Sequence, residues 1–365
     1  MATRTGVERL RASAYEVPAD APESDGTLAW DSTTIVVVEV EAGGETGIGF
    51  TYGPPAVAAL VQGELAEVVR DADPLAPQAA WARMSGAVRN ALGSGLSAYA
   101  ISAVDIALHD LKARILGLSL ADLLGRWRDG VAVYGSGGFT SYPLERLREQ
   151  AAGWMELGLD RVKMKVGRDP GWDGERLRAV REVIGGDTAL MVDANGAFTP
   201  AGAIAAAAGT YAPHGVTWLE EPVSSDDHRG LRRVRDRAPA GIAVAAGEYA
   251  TDVFHFERLL AAEAVDVLQA DVTRCGGVTG VLRADVLAKA HCLPLSAHGA
   301  PAISAHVFAA CETAAHLEYF HDHVRVEALL FDGAPAPEDG RLVPDPSRPG
   351  LGLELRRADA ERFRT

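Results

Sequence analysis

Between residues 163 and 318, charged side chains lie at the ends of short apolar runs. In chain order they are Lys163 with Lys165, Asp193, Glu220, Glu248, Asp271, His298 and Glu318. Counted from Lys165, successive members lie 20 to 28 residues apart. A buried parallel strand is expected to be apolar to its end, and one such charge alone is ordinary as a helix cap or a surface group. Seven strand ends of this kind in order predict one site built from all of them.

Three of these residues, Asp193, Glu220 and Glu248, come from three adjacent predicted strands and offer only carboxylate oxygens. Hard oxygen ligands suit Mg²⁺, which leaves its remaining positions to water or substrate. The sequence therefore predicts one magnesium site. Such an ion binds a substrate carboxylate and stabilises the negative charge that develops when an α-proton leaves.

Two further groups have the chemistry of acids and bases. Lys163 and Lys165 are two positions apart on one strand and point to the same side, so each cation disfavours protonation of the other. One lysine is therefore expected to have a lowered pKa and to act as a base. His298 lies one predicted strand after Asp271, whose carboxylate can orient its ring as a second acid/base group.

Eight short β-branched runs, each followed by a helical stretch, are needed to position these residues. The runs cover residues 131–135, 160–166, 189–194, 216–220, 242–247, 265–270, 293–297 and 317–319. A strand, a helix and two short loops need a repeat of about 20 to 28 residues, which matches the spacing of the charged groups. The pattern predicts a parallel barrel with the site at the carboxyl ends of its strands.

The start of the chain has a different pattern. Residues 33–41 and 45–51 flank Gly43 and Gly44 and predict an antiparallel hairpin, whereas residues 19–30 are expected to form a loop. A helical pattern covers residues 55–124. We expect an α+β domain at residues 1–125, the barrel at 126–325, and a C-terminal segment at 326–365 that packs back on the first domain.

Composition excludes several classes of partner. The formal net charge is −15 and no basic cluster is present, so binding to nucleic acid or to an anionic membrane is not expected. The three cysteines, Cys275, Cys292 and Cys311, form no CxxC pair and predict neither disulfides nor a zinc site. We expect a soluble cytoplasmic homo-oligomer that acts on a small carboxylate.

Taken together, these motifs resemble the enolase superfamily and, within it, the mandelate racemase subgroup. The resemblance extends over nearly the whole chain and includes the helix AISAVDIALHDLKARILGLSLADLLG, KMK, VDAN, LEEP, GE, GGVTG and HLE. It implies a (β/α)7β modified TIM barrel with an N-terminal α+β capping domain. It also implies Mg²⁺ bound by Asp193, Glu220 and Glu248.

The resemblance further implies roles for the remaining groups. Lys165 and His298 would be bases on opposite faces of the substrate, with Asp271 orienting His298. Lys163 would lie beside the substrate carboxylate, and Glu318 would hydrogen-bond that carboxylate as it becomes an enediolate. Loops of the capping domain would select the substrate.

The substrate-binding and loop residues are less specific. Tyr52 and Tyr142 are candidates for substrate contact, although ordinary loop aromatics would give the same pattern. His321 and His323 are two residues apart in a late segment and are expected to be solvated rather than metal ligands.

Several reactions use this set of groups. We expect dehydration of an acid sugar to a 2-keto-3-deoxy acid, with racemisation or epimerisation of a 2-hydroxy acid such as mandelate as the alternative. A polar pocket would favour the first and an apolar pocket the second. Cycloisomerisation is less favoured, because those enzymes typically carry a lysine in place of His298. A non-catalytic binding protein on the same fold would be expected to lack one of the essential groups.

Overall fold

The computed structural model describes residues 6–91 and 94–365. It opens with an antiparallel sheet of three strands, β1 (Arg9–Ser24), β2 (Ala29–Ala42) and β3 (Glu45–Tyr52), which pair in that order. The hairpin predicted from residues 33–51 is confirmed as β2 and β3. Most of the segment expected to be a loop instead belongs to β1 and β2, with a register shift between Pro18 and Glu23.

The helices of the first domain follow this sheet. They are α1 (Ala56–Leu60), α2 (Ala66–Val69), α3 (Pro77–Ala87), α4 (Leu96–Leu116) and α5 (Leu120–Leu124). Of these, α1, α2 and α4 pack against the strands of the sheet. The long helix α4 lies directly on β3, because Gly47 and Gly49 have no side chains to hold it away. A Cβ at either glycine would come within 2.2 Å of a helix carbonyl oxygen, that of Ala107 or Ala103.

The predicted barrel is confirmed. Its eight parallel strands are β4 (Val131–Gly137), β5 (Arg161–Lys165), β6 (Ala189–Asp193), β7 (Val216–Glu220), β8 (Ala243–Ala246), β9 (Val267–Ala270), β10 (Leu295–Ala297) and β11 (Ala314–Phe320). They pair in chain order, and β11 pairs with β4 to close the ring. The intervening helices are α6 (Leu144–Glu156), α7 (Pro170–Ile184), α8 (Pro200–Ala206), α9 (His228–Arg235), α10 (Val253–Ala261), α11 (Gly277–Ala290) and α12 (Pro301–Ala309).

The last part of the chain returns to the first domain. It contains α13 (His321–Leu330), β12 (Phe331–Asp332), β13 (Arg341–Leu342), β14 (Glu354–Leu355) and α14 (Arg357–Ala360). Strand β13 pairs antiparallel with β4, and β12 pairs with β14. Arg357 forms an ion pair with Glu39, and Thr365 donates its backbone N–H to the Ala14 carbonyl. Among the described residues, no helix is both long and apolar enough to cross a membrane.

A single buried carboxylate joins three parts of this architecture. Asp110 on α4 is fully buried and accepts hydrogen bonds from the backbone N–H of Ile48 in β3 at 2.7 Å and of Leu351 in the C-terminal segment at 2.5 Å. Arg114, one helical turn later, neutralises it through an Nε–Oδ2 contact of 2.8 Å. The charge is therefore balanced locally, and all three segments depend on it.

We predict that Asp110→Ala lowers the free energy of unfolding by about 3 to 5 kcal/mol, because two backbone donors and one guanidinium lose their buried partner. Glu354→Ala is the matched control, since Glu354 contacts the same arginine at 2.8 Å but is largely exposed. That change should cost about 1 kcal/mol or less. Urea unfolding followed by circular dichroism measures both changes. Equal losses of unfolding free energy in the two variants would contradict the role of Asp110 in linking the three segments.

Candidate active site

Three carboxylates form a row across the mouth of the barrel. Asp193 and Glu220 are the last residues of β6 and β7 and are paired in register, and Glu248 follows β8. Their exposed fractions are only 0 to 2%. One oxygen from each lies within 4.8 Å of one oxygen from each of the others. The structure therefore brings together the three residues that the sequence assigned to a metal.

Two lysines approach this row from β5. The Lys163 ammonium lies 2.7 Å from Glu220 Oε1 and 2.8 Å from Glu318 Oε1, and it is completely buried. The Lys165 ammonium lies 2.5 Å from Asp193 Oδ2. Both lysines thus point to the same side of the strand, as their spacing predicted.

The direction of the Lys165 pKa differs from the sequence expectation. Burial lowers the pKa of Lys165, and the charge of Lys163 lowers it further. The adjacent Asp193 carboxylate, helped by Glu248 and Glu318, outweighs both effects and raises the pKa above its ordinary value. The interaction between the lysines therefore has the expected sign but is too weak to decide the outcome. A cation that shares the charge of Asp193 would weaken the strongest attraction that holds the Lys165 proton.

His298 lies at the other end of the row, directly after β10. Its Nδ1 lies 2.8 Å from Asp271 Oδ2, and its Nε2 lies 3.2 Å from Glu248 Oε2. Burial opposes charge on the ring, but Glu248, Glu318 and Asp271 together raise the pKa of His298 to about 9. The predicted Asp271–His298 pair is therefore formed in the structure.

Glu318 connects the two halves of the site from β11. Its Oε1 accepts a hydrogen bond from Ser136 Oγ at 2.6 Å in addition to the Lys163 contact. Its Oε2 accepts from the Gly299 backbone N–H at 2.9 Å and lies 3.7 Å from His298 Nε2. These contacts hold the carboxylate ionised, and its pKa is lowered well below its ordinary value, against burial, chiefly by Lys163.

The donor set fits magnesium. Burial, and after it the neighbouring carboxylates, raises the pKa of Glu220 to about 7 against the effect of Lys163. Glu248 Oε2 is buried and has no hydrogen-bond partner. Its 3.2 Å contact with His298 is close enough for an ion pair without having hydrogen-bond geometry. A hard divalent cation would satisfy this oxygen and offset the repulsion among the three carboxylates.

The two tyrosines proposed to contact substrate are both largely buried, and their hydroxyls already have partners. Tyr52 stacks on His323 with ring centres 3.5 Å apart and donates to Glu327 Oε1 at 3.3 Å. Tyr142 lies under the Arg146 guanidinium and donates to Glu23 Oε1 at 3.4 Å. Substrate contact by either tyrosine stays a prediction.

The expectation of solvated histidines is wrong for His323. This residue lies in the first turn of α13, is buried, and accepts the Ala300 backbone N–H on Nδ1 at 2.9 Å. Burial, together with the His298 charge, lowers the pKa of His323 to about 3, so the ring is neutral. His321 is partly exposed and contacts Asp20 at 3.2 Å.

Two charged residues of the site were missed from the sequence. Glu221, the second glutamate of LEEP, is 1% exposed, has a left-handed backbone with φ of 36°, and leaves Oε1 without a hydrogen-bond partner. Arg274 contacts Glu248 and Asp271. Glu221 directly follows the end of β7, and Arg274 lies four residues after the end of β9. Their positions close to strand ends would have identified both residues from the sequence.

Comparison with known proteins agrees with this architecture and donor set. The family model for the mandelate racemase/muconate lactonizing enzyme N-terminal domain matches residues 15–125, and the enolase C-terminal domain-like model matches residues 146–360. The chain belongs to the mandelate racemase/muconate lactonizing enzyme family of the enolase superfamily. Members of this family depend on magnesium, and Asp193, Glu220 and Glu248 are the residues of this member that could hold it.

Individual relatives of this family member cover nearly its full length. A mandelate racemase/muconate lactonizing enzyme-like protein from Rubrobacter xylanophilus is 57% identical, with a TM-score of 0.97, covering 99% of this chain and 100% of that one. The 3,6-anhydro-alpha-L-galactonate cycloisomerase of Streptomyces coelicolor is 32% identical, covering 96% of this chain and 97% of that protein.

A third relative was solved with bound magnesium. The L-talarate/galactarate dehydratase of Salmonella typhimurium is 32% identical over 97% of this chain and 90% of its own length. Its structure liganded with Mg and L-lyxarohydroxamate has a TM-score of 0.91 and 30% identity, covering 100% of this chain and 94% of that one. The chain is therefore similar to enzymes that act on small acid sugars.

We predict that alanine at Asp193, Glu220 or Glu248 abolishes turnover and weakens Mg²⁺ binding. Loss of a residue that only hydrogen-bonds to a metal ligand typically weakens binding by about 10- to 100-fold, and we expect a larger loss here. Calorimetric titration of chelator-treated protein measures the affinity. Asp173→Asn is the control, since Asp173 is an equally buried carboxylate that accepts the Gly167 N–H and the Tyr211 hydroxyl. Full activity after exhaustive chelation would show that the three carboxylates do not hold a metal ion that the reaction requires.

Proposed function

We propose that this protein removes the α-proton of an acid sugar to form an enediolate and then expels the β-hydroxyl, giving a 2-keto-3-deoxy acid. The observation that carries the proposal is the placement of the two acid/base candidates. Lys165 contacts Asp193 at one end of the carboxylate row, and His298 contacts Glu248 at the other end. A substrate carboxylate held at this row would have one of these groups on each side.

Each group has a role in such a reaction. Magnesium, when bound, supplies positive charge beside the substrate carboxylate and stabilises the developing enediolate. Lys163, which already contacts Glu318, lies where it can balance the same negative charge. One of Lys165 and His298 takes the α-proton. The electron pair of the substrate's Cα–H bond moves into the enediolate.

Elimination then requires an acid near the β-carbon. The C–O bond breaks as the enediolate collapses, and the hydroxide leaves as water after accepting a proton from the other acid/base group. The resulting enol becomes the 2-keto acid when a proton is added at C3. Asp271, hydrogen-bonded to Nδ1, orients the His298 ring so that Nε2 faces the carboxylates of the site.

The relatives support dehydration without excluding other outcomes. The Salmonella relative is named a dehydratase of two acid sugars, whereas the Streptomyces relative is named a cycloisomerase. That second name weakens the argument that His298 disfavours cycloisomerisation. A non-catalytic role has less support, since the two lysines, the carboxylate row and the Asp271–His298 pair lie together in the structure.

One observation favours the racemase as a second candidate. The Phe320 ring centre lies 5.7 Å from the Lys165 ammonium, and Phe320 contacts Phe139, which in turn contacts Trp30. Phe139 is fully buried, whereas Phe320 is partly exposed beside the lysine. An apolar ring in that place would accommodate the aromatic group of a substrate such as mandelate.

The reaction type can be assigned by proton NMR in D₂O with Mg²⁺, using a panel of aldonic and aldaric acids, their lactones, and mandelate. We expect at least one acyclic acid with hydroxyls at C2 and C3 to give a 2-keto-3-deoxy acid. Finding only substrate or epimer with deuterium at C2 would replace dehydration by racemisation. Finding that only the cyclic substrates react, by ring opening to an isomer without release of water, would replace it by cycloisomerisation.

We predict that Lys165→Met and His298→Asn each reduce turnover by about 100- to 10,000-fold, which is the usual contribution of a positioned acid or base. One of the two variants should still exchange the α-proton with solvent, because the remaining base works on its own face. Circular dichroism should show an unchanged fold. If both variants keep turnover near that of the unmodified protein, the assignment of the pair is wrong.

A further inference from the structure

Arg274 lies between the two halves of the site and has no role in the reaction proposed above. It follows β9, three residues after Asp271, and its side chain is 16% exposed. Its Nη1 donates to Glu248 Oε1 at 3.3 Å and to the Glu248 carbonyl at 3.4 Å. Its Nε lies 3.2 Å from Asp271 Oδ2, an ion-pair contact without hydrogen-bond geometry. One guanidinium therefore faces both a carboxylate of the row and the carboxylate that orients His298.

The contact with Glu248 determines which oxygen of that side chain is available. Oε1 is taken by Arg274, whereas Oε2 is buried without a hydrogen-bond partner. Since the guanidinium bonds to both the side chain and the backbone of Glu248, it restricts rotation of the carboxylate. The free oxygen is thereby kept in one place.

The second contact acts on Asp271. Its Oδ1 accepts two hydrogen bonds of 2.7 Å from the Thr273 backbone N–H and hydroxyl. Its Oδ2 faces His298 Nδ1 at 2.8 Å and Arg274 Nε at 3.2 Å. With donors or a positive charge at both oxygens, this carboxylate has one preferred orientation, and the His298 ring follows it.

The guanidinium itself is held by the first domain and by the loop after β8. The ring centres of Tyr99 on α4 and of Tyr249 lie 5.8 Å and 5.1 Å from the guanidinium carbon. Ser102, also on α4, accepts the Gly276 backbone N–H at 2.8 Å and so fixes the loop that carries Arg274. The arginine is therefore contacted by both the first domain and the barrel.

We propose that Arg274 is a positioning residue that fixes Glu248 and Asp271 relative to each other, and with them the magnesium site and the His298 ring. An arginine suits this role because its planar fork presents several donors at once, whereas a lysine ammonium is a single point charge. The catalytic part of this inference rests on the proposed function. The geometric part concerns the protein without substrate.

The test compares Arg274→Gln and Arg274→Lys with the unmodified full-length protein. Without substrate, calorimetry measures the Kd for Mg²⁺, and ¹⁵N-edited NMR of labelled histidine measures the tautomer and ordering of the His298 ring. We expect Arg274→Gln to weaken Mg²⁺ binding by about 10-fold or more and to shift or broaden the His298 signal. Arg274→Lys should restore either property only in part.

Arg128→Gln is the matched control. Arg128 is a partly buried arginine that donates to the carbonyls of Phe308, Cys311 and Glu312 away from the carboxylate row. Its loss should lower the melting temperature and leave both the Mg²⁺ affinity and the His298 signal unchanged. A purely structural role for Arg274 would give the same result as this control.

Two results would overturn the proposal. One is an Mg²⁺ affinity within twofold of the unmodified protein together with an unchanged His298 signal in folded Arg274→Gln. The other is full recovery of both properties in Arg274→Lys, which would show that charge alone is required. If no acid sugar is converted by the unmodified protein, the proposed function fails, but the Mg²⁺ and NMR measurements still decide the role of Arg274.

Discussion

Buried negative charge at the barrel mouth is the constraint on which the rest of the site depends. Carboxyl groups at the strand ends are all 2% exposed or less: Asp193, Glu220, Glu248, Asp271 and Glu318. Glu221 is equally buried, but burial and its carboxylate neighbours raise its pKa well above the ordinary value. Removing an ionised carboxylate from water costs several kcal/mol unless partners compensate. Lysines, an arginine and a histidine supply part of that compensation, and the Glu248 oxygen without a partner marks where it is incomplete.

The register of the parallel strands explains why such different parts of the chain meet there. Lys165 pairs with Asp193 across β5 and β6, and Asp193 pairs with Glu220 across β6 and β7. Because these strands end at the same level, their last side chains and those one or two residues beyond them converge. This is why strand ends alone predicted the carboxylate row, the lysine pair and the Asp271–His298 contact.

Features that depend on distance rather than on order along the chain were not predictable in the same way. The direction of the Lys165 pKa depends on a 2.5 Å contact with Asp193, and spacing alone does not give that distance. Strand β1 was missed because its inward residues include the small Ala12 and Ala14, which give a weak apolar pattern beside charged neighbours. His323 was missed because its burial comes from stacking on Tyr52, which belongs to the other domain.

The same contacts imply that binding of a cation at the row and the charge of Lys165 are linked. Asp193 raises the pKa of Lys165, and Asp193 is also a member of the row that could hold magnesium. Any cation that takes a share of this carboxylate's charge weakens its hold on the Lys165 proton, and a protonated Lys165 competes with that cation. Lys163 contacts Glu220 in the row, but it also contacts Glu318, which lies outside the row. The two lysines therefore differ in their partners: Lys163 keeps a carboxylate partner outside the row, whereas the closest carboxylate of Lys165 belongs to the row.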